Sequence, residues 1–176
     1  MNAAASHALD YDDCTTTIGG HPSAPLIAPI IALAEEIGAS GKQIIEVYVT
    51  GYELMARLGN MVMPEHYTTG WHPTSILGVF GSATACSKLL GLSHTQTASA
   101  LAIVPSVVAW TKANFGTPMK PLQVGAAARN GLFAAKLAAA GCNAMADSIE
   151  GGNGFLKLFN EGISHPLTGN SSSQSR

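Results

Sequence analysis

The chain has 176 residues, enough for one domain with a real core, but only 11% are charged against a roughly 25% norm for soluble domains, while 47% are hydrophobic. Either the helices bury most of their area, or a partner subunit, a second domain or neighbouring helices cover part of the surface. A net charge of −2 with scattered Lys and Arg argues against nucleic acid, and three widely spaced cysteines (Cys14, Cys86, Cys142) argue against a disulfide framework and for a reducing, cytoplasmic setting.

The chain opens on MNAAASHALDYDD, which lacks the basic start of a signal peptide; residues 3–9 read like the middle of a helix with nothing before it. After His21-Pro22, the apolar positions Leu26, Ile27, Ile30, Ile31, Leu33, Ala34 and Ile37 recur at helical spacing, with Pro22 and Pro25 in the first turn and Gly38 as the stop. Ser40-Gly-Lys-Gln43 has the form of a capping box, and behind it Ile44, Ile45, Tyr48, Tyr52, Met55 and Leu58 form a stripe closed by Gly59. A polar loop over 60–72 leads to a helix over 73–90, ended by Gly91, whose small residues Gly78, Gly81, Ser82 and Ala85 admit a close neighbour. A second capping box, Ser93-His-Thr-Gln96, opens a helix to about Val104, broken by Pro105. Residues 112–120 read as a loop, a small-residue helix begins at Pro121 and stops at Gly141, and 155–159 is a short amphipathic piece. The apolar stretches 26–34 and 98–110 are too short to cross a bilayer and contain Pro29 and Pro105. No strand pattern competes, so the expectation is an all-α helical bundle over residues 1–160, followed by a polar, disordered tail over 161–176.

Polar groups gather at four helix entrances. They are Asp10-Tyr-Asp12-Asp13, His21-Pro-Ser23, the pair His66-Tyr67 with Trp71-His72-Pro73-Thr74-Ser75, and Lys120-Pro121-Leu122. Helix N-termini offer unpaired N–H groups and a positive dipole end, and with two histidines and a lysine they suit a small anion with several carboxylates. Taken singly, each group also has a plain structural reading: a His before Pro as a cap, Asp12 as a solvated first-turn residue, Lys120 as a snorkelling side chain. His66, His72, His21, Asp13 and Cys14 are chemically able to bind metal, but their spacing matches no metal motif, and no metal is expected. Cys14 with His21 seven residues on carries no further sign of a nucleophile. Neither GxGxxG after a strand, nor a P-loop, nor GxSxG occurs.

The ordered segments AxxHALDYDD, GGHPSAPLIAPIIALAEE, GYELMARLG, HYTTGWHPTSILGVFGSATACSKLLGL and FGTPMKPLQVGAAARNGLFAAKLAAAG resemble the MmgE/PrpD family of 2-methylcitrate dehydratases, cis-aconitate decarboxylases and related isomerases, and the resemblance runs from about Ala3 to Phe159. The resemblance implies part of a large helical domain. It places the family's first helices before Met1 and its second, α/β domain after Phe159; that second domain is absent from this chain. It implies Asp10, His21, His72 and Lys120 as catalytic residues, Lys120 also as a carboxylate ligand, and Asp13 and Thr74 as neighbours that bind substrate. It implies no cofactor, a tri- or dicarboxylate substrate, and a homodimer or a partner polypeptide carrying the missing domain. Cys14 stands where some relatives carry Thr, and Gln123 where many carry His. Three functions follow as expectations: a lyase of the 2-methylcitrate dehydratase type, a related decarboxylase or dicarboxylate isomerase, and a non-catalytic fragment that acts by association.

Overall fold

The computed structural model describes residues 1–160, and the tail expected to be disordered lies outside them. Among the described residues the chain is helical throughout, with isolated bridges Thr15–Gly20 and Trp71–Thr111 as its only β pairing. The helices are α1 (Asn2–His7), α2 (Ser23–Ile37), α3 (Gly41–Val62), α4 (Glu65–Thr68), α5 (Pro73–Leu89), α6 (His94–Ile103), α7 (Met119–Ala139) and α8 (Phe155–Phe159). None of them is long and apolar enough to cross a membrane.

Helix α5 is the axis of the bundle. Nearly every residue from Pro73 to Leu89 is buried, as befits a helix without a charged face, and α2, α3, α6 and α7 pack around it. Its Ile76, Leu77 and Phe80 meet Leu26, Ile30 and Leu33 of α2 and Met55 of α3 in the main core, all with no exposed area. Each such side chain contributes about 1.5–3 kcal/mol by leaving water. The α5–α7 crossing depends on Gly131, where a Cβ would press on the Ser82 side chain and fall 2.8 Å from both Ala83 N and Val79 O.

Both capping boxes form, with Ser40–Gln43 opening α3 and Ser93–Gln96 opening α6 through reciprocal hydrogen bonds. Gly38 ends α2 in the left-handed region at φ 71°. Three boundaries differ from the sequence reading. Helix α3 runs past Gly59 to Val62, because that glycine serves tertiary packing: a Cβ there would lie 2.5 Å from Thr17 O. The loop expected over 60–72 contains the short helix α4. Helix α7 begins at Met119, two residues before Pro121, because the Thr117 hydroxyl accepts from Met119 N (3.2 Å) and its carbonyl from Lys120 N (3.1 Å). Lys120 thus sits in the first turn of a helix and does not precede it.

Candidate active site

Helix α1 ends at His7, and the chain then turns sharply, with Asp10 in the left-handed region at φ 52°. That backbone costs a non-glycine residue on the order of 1–2 kcal/mol, and residues held so tend to cluster at functional sites. The Asp10 carboxylate meets Lys120 Nζ of α7 at 2.5 Å. The hydrogen bond from the Lys120 ammonium, helped by its charge and those of His7 and His21, holds the Asp10 carboxyl below its ordinary range against the opposing effect of burial. Lys120 Nζ also lies 5.5 Å from the centre of the Phe115 ring, and the edge of that ring meets His72 at 4.8 Å, centre to centre.

Three histidine rings come together here. The ring of His7 lies 4.7 Å from that of His21 and 6.3 Å from that of His72, centre to centre. His21 opens the approach to α2, and its backbone N–H donates to Thr74 Oγ1 at 3.0 Å, so the buried Thr74 ties the α2 entrance to that of α5. Asp13 accepts from Ser23 N at 3.1 Å and so caps the start of α2. Ser23 Oγ pairs with Tyr48 of α3 at 2.8 Å.

Asp12 is not the solvated residue that the sequence suggested. Its side chain is 9% exposed and lies between two histidines: His7 Nδ1 donates to Oδ2 at 2.8 Å, and His21 Nδ1 stands 3.5 Å from Oδ1. Among the described residues, His7 Nε2, Asp12 Oδ1 and His21 Nδ1 are buried without a hydrogen-bond partner. His7 is not among the groups that the sequence brings forward, and Asp12, a member of the acidic cluster, turns inward instead of to solvent. The one hint was the His three residues before Asp10 in HALD, a spacing that brings His7 Nε2 within 3.6 Å of Asp10 Oδ1.

His72 caps α5, and its backbone N–H donates to Trp110 O at 3.0 Å where the 69–72 segment pairs with 110–112. Its ring is buried, with Nδ1 2.6 Å from Gln123 Oε1 and 3.1 Å from Ser75 Oγ. Burial pushes His72 down to about 4, with smaller contributions from the neighbouring His7, Lys120 and His21 charges, against the opposing Gln123 hydrogen bond. The imidazole is therefore neutral near pH 7. His66 goes elsewhere: it stacks on Trp71, meets Phe155 at a tilt, reaches Phe159 O from Nδ1 at 3.3 Å, and is likewise held down to about 4 by burial.

Of the side chains weighed as metal ligands, only His21 joins a cluster, formed by His7, Asp10, Asp12 and His21 with one ligand atom of each within 4.8 Å of the others. The Lys120 ammonium already supplies the positive charge at Asp10, so a divalent cation there would face it at short range. A cavity of about 400 Å³, within the usual range for small-molecule sites, opens beside His7, Asp10 and Lys120 and is walled by Thr117, Pro118 and Pro121. A lysine, a carboxylate and an imidazole line this space, with Asp12, His21 and His72 behind His7, and such a set can bind carboxylate groups and move protons.

Comparison with known proteins identifies the family. The model of the MmgE/PrpD N-terminal domain matches residues 1–166. The chain is 38% identical over 150 residues to the cis-aconitate decarboxylase of Homo sapiens, covering 80% of this chain and 30% of that protein. It is 35% identical to that of Mus musculus (90% and 33%) and 33% identical to that of Aspergillus terreus (92% and 34%). The chain thus spans about a third of the length of these relatives. Its helices and its sequence place it in the MmgE/PrpD family, to which it belongs through the N-terminal domain.

Proposed function

We propose that this chain provides the helical side of the active site of a lyase for small tricarboxylic acids, with decarboxylation of a cis-aconitate-like alkene as the first reading. The observation that carries it is the Lys120–Asp10 pair at the mouth of a cavity beside His7, with His21 and His72 next to that histidine. The relatives named cis-aconitate decarboxylase support it.

Lys120 binds a substrate carboxylate and offsets the charge that builds there, an electrostatic role that acts most strongly in the transition state. In decarboxylation the bond between a methylene carbon and its carboxylate breaks and CO2 leaves. The freed pair forms a new double bond, and the former alkene takes a proton at its far carbon. His21 supplies that proton, with Asp12 at its Nδ1 side as orienting group.

The second reading is dehydration of the 2-methylcitrate type, and the neutral, buried His72 favours it. There His72 takes the proton next to a carboxylate and His21 protonates the departing hydroxyl. Asp13 and Thr74 act in both readings by fixing the α2 and α5 entrances around His21.

The test is a substrate panel on the purified chain, alone and with a polypeptide supplying the remaining length of the relatives, with Lys120→Ala as control. CO2 release from cis-aconitate that the control abolishes supports the first reading, and alkene formation from 2-methylcitrate supports the second. Turnover that survives Lys120→Ala removes Lys120 from the mechanism. A well-folded pair of polypeptides that turns over neither compound refutes the lyase reading.

A further inference from the structure

Gln123 lies one turn beyond Lys120 on α7, is 3% exposed, and belongs to none of the groups from which the site was assembled. Its amide orientation is fixed from the far side. Gln123 Nε2 donates to the carbonyl of Thr111 at 3.2 Å, and that carbonyl is held in place by the Trp71–Thr111 bridge and by the hydrogen bonds on either side of it, His72 N to Trp110 O and Lys112 N to Gly70 O. Turning the amide over would set its oxygen against the Thr111 oxygen, two acceptors with no proton between them. The amide oxygen therefore faces His72, where it stands 2.6 Å from Nδ1.

An amide oxygen only accepts, so a contact this short requires the hydrogen to be on Nδ1. Ser75 Oγ, 3.1 Å from the same nitrogen, can share that hydrogen as a second acceptor and does not alter the conclusion. With Nδ1 protonated in the neutral ring, Nε2 is bare. Among the described residues the groups that face this ring are His7, Phe115, Ser75, Gln123 and, through space, Lys120 and His21, and none of these is a carboxylate.

From this geometry we propose that Gln123 is a positioning residue: by way of the Thr111 carbonyl it locks His72 in the Nδ1–H tautomer and leaves Nε2 as the only nitrogen of that ring able to exchange a proton with substrate. The assignment separates the two histidines. His72 begins the cycle as a proton acceptor through Nε2, so the first donation to substrate falls to His21. The logic is that of any imidazole whose second nitrogen is tied by a hydrogen bond, with a neutral amide in place of the more usual carboxylate. The amide can accept the Nδ1–H without adding a negative charge that would favour the imidazolium, so the ring stays available as a base. The proton-acceptor role of His72 rests on the dehydration reading, the one of the two that takes a proton from substrate; the tautomer rests on neither.

The experiment is two-bond 1H–15N correlation NMR of the ¹⁵N-histidine-labelled chain, with His72→Gln to assign the signal, on wild type, Gln123→Leu and Gln123→Glu. The same three proteins are then assayed for turnover against pH under the conditions that give wild-type activity. The expected wild-type pattern is a protonated Nδ1 and a bare Nε2 from pH 8 to pH 6. Gln123→Leu loses that pattern and lowers kcat about 10-fold or more with KM little changed. Gln123→Glu keeps it, because a carboxylate still accepts the Nδ1–H, and restores turnover at high pH while moving the acid limb of the profile upward. A wild-type signal with the proton on Nε2 overturns the proposal outright, even if both variants fail to fold. Loss of the tautomer in Gln123→Leu with turnover unchanged overturns the catalytic assignment. If no substrate is turned over by wild type, the lyase reading fails, and the tautomer still decides the role of Gln123.

Discussion

Acidification should destabilise this fold well before its carboxylates titrate. His66 and His72 are both buried, and burial lowers each from 6.5 to about 4. In the unfolded chain both rings bind a proton as the pH falls below 6.5, while in the folded chain they resist until about 4. The unfolded state thus holds more protons throughout this window, and stability must fall with falling pH. Their contribution is intact above 6.5, is lost progressively through the window, and levels off below the folded value. Linkage gives a loss of about 2 kcal/mol per histidine at pH 5 and about 3 kcal/mol at pH 4. Two such losses consume a large part of a typical total of about 5–15 kcal/mol. Asp10 does not interfere: its pKa is lowered from 3.8, so its stabilising effect is present above that value and is lost only at lower pH. The assay is urea denaturation at pH steps from 7.5 to 4.5 at constant ionic strength. His66→Phe keeps a ring between Trp71 and Phe155 but removes one titration, and should cut the pH-dependent loss by about half whatever its effect at pH 7.5. Stability that stays flat from pH 7 to pH 5, or a loss that His66→Phe and His72→Gln leave untouched together, would refute the reasoning.

Three further substitutions probe other links. Asp12→Asn removes the carboxylate between His7 and His21 and should lower kcat about 10- to 100-fold with an unchanged helical circular dichroism spectrum; full activity would show that the pair of contacts does not orient His21. Gly131→Ala forces a methyl group against Ser82 and the α5 backbone and should cost about 1–3 kcal/mol in urea denaturation, whereas a neutral result would mean that α5 and α7 separate easily. Ser40→Ala removes one capping box at an exposed helix start and should cost about 1 kcal/mol without affecting turnover.

What the sequence made legible follows from what each signal depends on. The two capping boxes and the glycine stops are local devices, complete within a few residues, and they were readable as such. Gly59 misled because a glycine inside a helix and a glycine after one look alike until the Thr17 carbonyl is seen against it. The early start of α7 was hidden because Thr117, whose hydroxyl accepts from Met119 N, lies four residues before the point at which a helical pattern is visible.

The candidate site divides along the same line. His21, His72 and Lys120 stand at helix entrances and Asp10 in the turn after α1, where short motifs expose them. The side chains that orient them do so across the chain. Asp12 reaches both histidines because the chain doubles back at Asp10, and Gln123 reaches His72 across 51 positions of sequence. A one-dimensional pattern holds no sign of either contact, yet those contacts decide which nitrogen of each imidazole is free. In a lyase the direction of proton transfer depends on that choice. The same four motif residues with a leucine at 123 would leave the His72 Nδ1–H without its amide acceptor, so the division of labour between the two histidines depends on contacts that no short motif shows.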